Sequence, residues 1–95
     1  MLSSVALVIA LAQGVLSPGA VVRQAQEDLR QGNYAAACQK LEQSIPASPR
    51  NPSLWFLLGL GRSQLKQFDP AIEAFKKVVE IDPRYAPAYF NLGLL

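Results

Sequence analysis

Residues 55–59 read Trp-Phe-Leu-Leu-Gly and residues 89–93 read Tyr-Phe-Asn-Leu-Gly, so a string of large ring, two residues, Leu and Gly recurs after 34 positions. The same register holds upstream. Gly32-Asn33-Tyr34 stands 34 positions ahead of Lys66-Gln67-Phe68, Ala37 ahead of Ala71, Leu41 ahead of Phe75, and Pro49 ahead of Pro83. A fixed period of this length is the signature of supersecondary units stacked on one another. It predicts a solenoid.

Each period contains two stretches with apolar residues at helical spacing, separated by turn signals. The first hairpin is expected as a helix over about 19–31, a turn at Gly32-Asn33, and a helix from Tyr34 or Ala35 to about Ile45. The second is expected over about 53–65, with a turn at Lys66-Gln67-Phe68 and a helix from Pro70 to Ile81. Asp69-Pro70 reads as an N-cap acid followed by a first-turn proline. Glu73 with Lys77, and Lys76 with Glu80, are opposite charges four apart on one face. Pro46, Pro49 and Pro52 mark the break between hairpins, and Pro83 ends the second, because proline cannot continue a helix.

Helices approach to roughly 8–10 Å, with small residues where they come closest. Gly59 and Ala71 are placed to supply that crossing in the second hairpin, and Ala37 repeats it in the first. Trp55, Leu58, Phe75 and Val78 are then expected to fill the core on either side. One hairpin cannot cover such a stripe alone, so successive hairpins must stack.

Composition bounds the chemistry. The chain has 95 residues, no histidine, one cysteine and a net charge of +2. Without histidine there is no Ser-His-Asp or Cys-His set, and a single Cys forbids an internal disulfide. The near balance of charge argues against nucleic acid as a partner. Glu27-Asp28 is an adjacent acid pair, but consecutive helical residues point in different directions, so it reads as a solvated face. Gly59-x-Gly61 lies within a helical pattern and not after a strand, so it is read as helix packing and not a phosphate loop. Cys38 is expected to be a buried structural thiol, with an intermolecular disulfide as the alternative. No enzyme activity, cofactor or metal is expected.

The charge is unevenly placed, for residues 1–22 carry no charged side chain. The apolar stretch Val5 to Ala12 ends in Ala10-Leu11-Ala12 ahead of Gln13, a form that signal peptidases accept. Three readings stand: a cleaved signal peptide over 1–12, a membrane anchor over 1–22, or a buried first helix. The first two imply an exported protein, periplasmic or extracellular, or one held at a membrane through residues 1–22.

Trp55, Leu58, Gly59, Ala71, Phe75 and Pro83 together resemble the pattern of the tetratricopeptide repeat (TPR) family, at its period of 34 residues. The resemblance covers residues 18–95, as repeats 18–51 and 52–85 and a partial third over 86–95, where Tyr89, Leu92 and Gly93 repeat the opening. In the first repeat Val21, Gln24 and Ala25 stand in the large-Leu-Gly positions. The tyrosine of the pattern is replaced by Arg62, and the turn glycine, present as Gly32, is replaced by Lys66. Packing roles are implied for Ala37 and Leu41 as well.

The resemblance implies an all-α array of helical hairpins that binds a protein or peptide along the concave face of its first helices. Candidate residues on that face are Val22, Gln26 and Leu29, then Phe56, Leu60, Ser63 and Gln64, then Phe90 and Asn91. Phe56 and Leu60 are open to a second reading, as side chains packed on a neighbouring element. One TPR subclass grips a terminal carboxylate with Lys, Asn and Arg. The matching positions here are Val22, Gln26, Leu57, Pro87 and Asn91, which offer no positive charge. A more apolar groove is expected instead. Tyr89, Phe90, Leu92, Leu94 and Leu95 lack the second helix that would cover them, so the chain is expected to be a fragment of a longer array or to self-associate there. The functional expectation is a scaffold module of an exported or membrane-associated protein. The alternative is the N-terminal TPR segment of a larger enzyme.

Overall fold

The computed structural model describes residues 17–95, and among them the regular elements are helices without strands. Helices α1 (Pro18–Arg30) and α2 (Tyr34–Ser44) form one hairpin, followed by a 3-10 turn (Ile45–Ala47). Helices α3 (Pro52–Gln64) and α4 (Phe68–Ile81) form the next, and α5 (Ala86–Leu94) opens a third. The array is all-α and built of stacked hairpins, as the period implies. The signal-peptide reading of residues 1–12 lies outside the described residues, as does the anchor reading up to residue 16. Residues 18–22 begin α1, where Val21 is buried in the first hairpin. No described helix is long and apolar enough to cross a membrane.

Local chemistry accounts for the helix ends. Ser17 Oγ accepts from the Ala20 N–H at 3.2 Å, and Asn51 Oδ1 accepts from the Ser53 N–H at 3.0 Å. Both caps precede a proline at the first helical position, where its missing N–H costs nothing. The start expected at Asp69-Pro70 is corrected: α4 begins at Phe68, and Gln67 at the N-cap makes no side-chain bond. Asp69 lies within the first turn and complements the helix dipole there. Helix α2 gives way to the 3-10 turn because Pro46 has no N–H to return to the Glu42 carbonyl. The expected pairs four apart on α4 are also corrected, since Lys77 Nζ instead meets Glu80 Oε1 at 3.5 Å.

Both hairpin turns use one closure. Asn33 N–H donates to the Asp28 carbonyl at 2.7 Å and Gly32 N–H to the Leu29 carbonyl at 3.2 Å. In the second hairpin Gln67 N–H donates to Arg62 at 2.9 Å and Lys66 N–H to Ser63 at 3.0 Å. This is the paired bonding that ends a helix on a left-handed residue. Gly32 has φ 82° and Lys66 has φ 61°, so lysine holds a conformation that favours glycine.

The core lies between helices and between hairpins. Val21, Ala25, Ala37, Leu41, Leu54, Leu57, Leu58 and Ala74 form one cluster, and Ala71, Phe75, Val78 and Ala88 form another. Trp55 is half-buried and packs against both. Phe75 is the largest fully buried side chain. A Cβ on Gly59 would lie 2.7 Å from the Phe75 ring, so the crossing is glycine against phenylalanine, with Ala71 buried nearby. Gly61 faces the other way, where a Cβ would lie 2.6 Å from Cys38 Sγ and 3.5 Å from Leu29 Cδ2. Two residues apart on one helix, these glycines admit α4 on one side and the preceding hairpin on the other.

Cys38 is a free, buried thiol in that inter-hairpin joint. Burial raises its pKa, nearby Glu42 raises it further, and Arg62 opposes both. The unfolded thiol therefore ionises before the folded one as pH climbs, and stability that is full below the ordinary thiol range is lost above it.

Three expectations follow from this packing. Gly59→Ala should destabilise the chain by ~1–3 kcal/mol in chemical denaturation, because the buried Phe75 ring has nowhere to go. Gly93→Ala, at the same register but with nothing within 4 Å of the added atom, should be neutral or slightly stabilising. Lys66→Gly should raise stability by up to ~1 kcal/mol while Gly32→Ala lowers it by about as much, since only the left-handed backbone differs. Finally, the urea midpoint of the parent should fall more steeply than that of Cys38→Ala between about pH 8 and pH 9.5. Equal slopes would mean that burial of the thiol is not felt.

Candidate functional site

The face carried by α1, α3 and α5 follows from the register. The repeat places Val22, Phe56 and Phe90 in one row and Gln26, Leu60 and Leu94 in the next. Neither row contains a charge. The apolar side chains become more exposed along the array: Val22 and Leu60 are half-buried against the core, whereas Phe90 is 69% exposed and Leu94 68%. Ser63 is half-buried, and Gln26 and Gln64 are exposed.

Phe56 is held at the joint between the second and third repeats. Its ring lies 5.7 Å from that of Phe75 at 59° and 5.2 Å from that of Tyr85 at 51°. Both are tilted arrangements that aromatic quadrupoles favour. Phe56 thus lends one part of its surface to the core and leaves the rest in the face. Leu29 is drawn inward and packs against the first core cluster, where a Cβ on Gly61 would lie 3.5 Å from its Cδ2. Asn91 Nδ2 donates to the Pro87 carbonyl at 2.8 Å, so its amide is engaged with its own helix. That bond engages the amide of Asn91, and Val22, Gln26, Leu57 and Pro87, which share the carboxylate-gripping positions with it, carry no positive charge.

Polar chemistry gathers beside the α1 end of this face, at Gln26. A depression of about 360 Å³ on α1 is lined by Arg23, Gln26, Glu27 and Arg30, and Glu27 pairs with Arg30 within it. Asp28 is not solvated as expected. Its carboxylate turns into the hairpin, 15% exposed, and accepts from Lys40 Nζ at 2.6 Å. Arg62 occupies the same register one repeat later. It donates to the Pro70 carbonyl at 3.1 Å and reaches Glu42 of the preceding hairpin at 3.5 Å. The position where the family pattern has tyrosine therefore carries charge in both repeats, and each charge ties helices together.

No group of three or more His, Cys, Asp or Glu side chains is placed to hold a metal among the described residues. The sequence reading omitted Leu94 from the face, although its register with Leu60 was available as a signal. It also grouped Tyr89 and Trp55 by size alone, without the polar bonds their rings make.

Comparison with known proteins agrees with this architecture. A family model described as the TPR repeat matches residues 63–95. Tetratricopeptide repeat protein 37 of Xenopus laevis is 30% identical over 76 residues, spanning 80% of this chain but 5% of that protein. A solved structure of MamA, from residue 41 to the end, from Desulfovibrio magneticus RS-1 is 31% identical with a TM-score of 0.75; the match covers 79% of this chain and 42% of that one. A crystal structure of MamA is 27% identical with a TM-score of 0.78, over 82% of this chain and 46% of that one. The chain thus spans less than half the length of these relatives. The 34-residue register, the packing of Gly59 against the Phe75 ring and these likenesses together place the chain in the tetratricopeptide repeat family.

Proposed function

We propose that this chain is a non-enzymatic interaction module that takes an apolar stretch of a partner polypeptide across Val22, Phe56, Leu60, Phe90 and Leu94. One observation carries the reading: two register rows cross three successive helices without a charge, and their exposed apolar area is concentrated in Phe90 and Leu94. Exposed apolar surface of this kind is characteristic of interaction sites. The TPR fold and the MamA likeness support a protein-interaction scaffold. The small share of each relative that the chain spans supports its being one part of a longer protein. The uncharged stretch ahead of α1 supports export or membrane attachment. Exported material should then begin at Gln13 on N-terminal sequencing if the leader is cleaved, and at Met1 if it is an anchor.

The groove is tested with a panel of fluorescent peptides of equal length that differ in apolar content and in terminal charge. Affinity should follow apolar content and be indifferent to amidation of the C-terminus. Phe90→Ser and Leu94→Ser remove side chains that are already mostly solvated, so helicity should be kept while affinity drops ~5–30-fold. Unchanged affinity in both variants would sink the proposal. The same exposed side chains also offer a surface for self-association. A sedimentation coefficient that rises with concentration in the parent, and not in the two serine variants, would assign them that second role.

A further inference from the structure

Each linker between hairpins carries the same polar contact. The indole Nε1–H of Trp55 donates to the Pro49 carbonyl at 2.8 Å, and the hydroxyl of Tyr89 donates to the Pro83 carbonyl at 2.9 Å. The two donors belong to different rings. The acceptor, the separation of six residues and the position in the repeat are the same.

The geometry explains why such a bond matters. Each linker is closed by one turn, with Asn51 N–H donating to the Ser48 carbonyl at 3.2 Å and Tyr85 N–H to the Asp82 carbonyl at 3.1 Å. The proline lies inside that turn, beyond the end of α2 or α4, where its carbonyl is outside any helical ladder. The ring bond therefore joins the first turn of the incoming helix to the turn that follows the outgoing one. Packing alone does not call for a donor at these positions. Trp55 is half-buried between the two clusters and Tyr89 is 50% exposed, so phenylalanine would supply comparable apolar area.

We propose that Trp55 and Tyr89 are latches that set the angle at which each hairpin leaves the one before it, and that this role requires a hydrogen-bond donor on the ring. The latch belongs to the joint and stands whether or not the uncharged face takes a ligand. The two joints are not equal. Asn51 caps α3 with its side chain, whereas Tyr85, in the same position before α5, forms no side-chain cap. If its ring bond is lost, the first joint therefore keeps a side-chain cap that the second does not have.

The test uses the full chain with three substitutions: Tyr89→Phe, Tyr89→Trp and Trp55→Phe. Residual dipolar couplings report the orientation of α5 against α3 and α4, and amide exchange reports the linker. Tyr89→Phe should average the α5 couplings and speed exchange of the Tyr85 and Ala88 amides roughly three- to tenfold, the loss of one modest hydrogen bond. Tyr89→Trp restores a donor and should keep the parent couplings. Trp55→Phe should loosen its own joint less, because Asn51 remains. Parent couplings in Tyr89→Phe would overturn the proposal, as would a Tyr89→Trp variant as loose as the phenylalanine one. If Tyr89→Phe unfolds α5 altogether, Tyr89→Trp decides: an ordered α5 at the parent angle supports the latch, and a lost α5 refutes it.

Discussion

The closest approach in the second hairpin is that of α3 to the Phe75 ring, which takes the space a side chain on Gly59 would occupy. Much else depends on it. With Phe75 seated there, Ala71 and Val78 above and below it on α4 become fully buried, and Phe56 can rest against the far side of the ring. Two residues on, Gly61 repeats the device against the preceding hairpin, where Cys38 and Leu29 close in. A helix with glycines on opposite faces pays a propensity cost of ~1 kcal/mol for each. What it gains is a neighbour at short range on both sides, and dense packing of that kind is what makes stacked hairpins cooperate.

The charged side chains at the joints follow a different logic. Asp28 and Arg62 occupy one register position with opposite sign, where the family pattern has an aromatic ring. Asp28 closes its own hairpin through Lys40, whereas Arg62 serves both its own hairpin through Pro70 and the preceding one through Glu42. A ring would bind by area. A planar guanidinium with several donors can satisfy two partners on different helices at once. The partly exposed Glu42 pair is worth little by itself. Its effect is to add a directional contact across a joint that apolar packing already closes.

Legibility differed between the fold and the face. Helix count, hairpin pairing and the glycine packing were all readable, because a period of 34 fixes which residues share an environment. The start of α4 was misplaced by two residues because Asp69-Pro70 looks like a cap, yet serves equally well inside the first turn. Asp28 was read as solvated because it points away from Glu27 with no partner on its own helix, and only Lys40, twelve residues away on the next helix, draws it inward. Trp55 was assigned to the core by size, which does not show that its indole N–H reaches a carbonyl at the protein's edge. For the face, the register identified the rows and left Phe56 open to packing on a neighbour, but did not show that Leu29 would turn into a joint.

By itself, the sequence determined the repeat, its period and the absence of charge from two rows of the first helices, since these are properties of residue order alone. It also determined that α3 could be approached closely from two sides, because only glycine at 59 and 61 leaves the room. The tertiary structure decided how exposure is distributed along those rows, from half-buried Val22 to largely open Phe90 and Leu94. It decided too that unlike rings at 55 and 89 would make the same bond to a proline carbonyl. Those outcomes depend on where a neighbouring helix lies and at what angle. That angle comes from contacts distant in the chain, which a repeat pattern can locate but cannot orient.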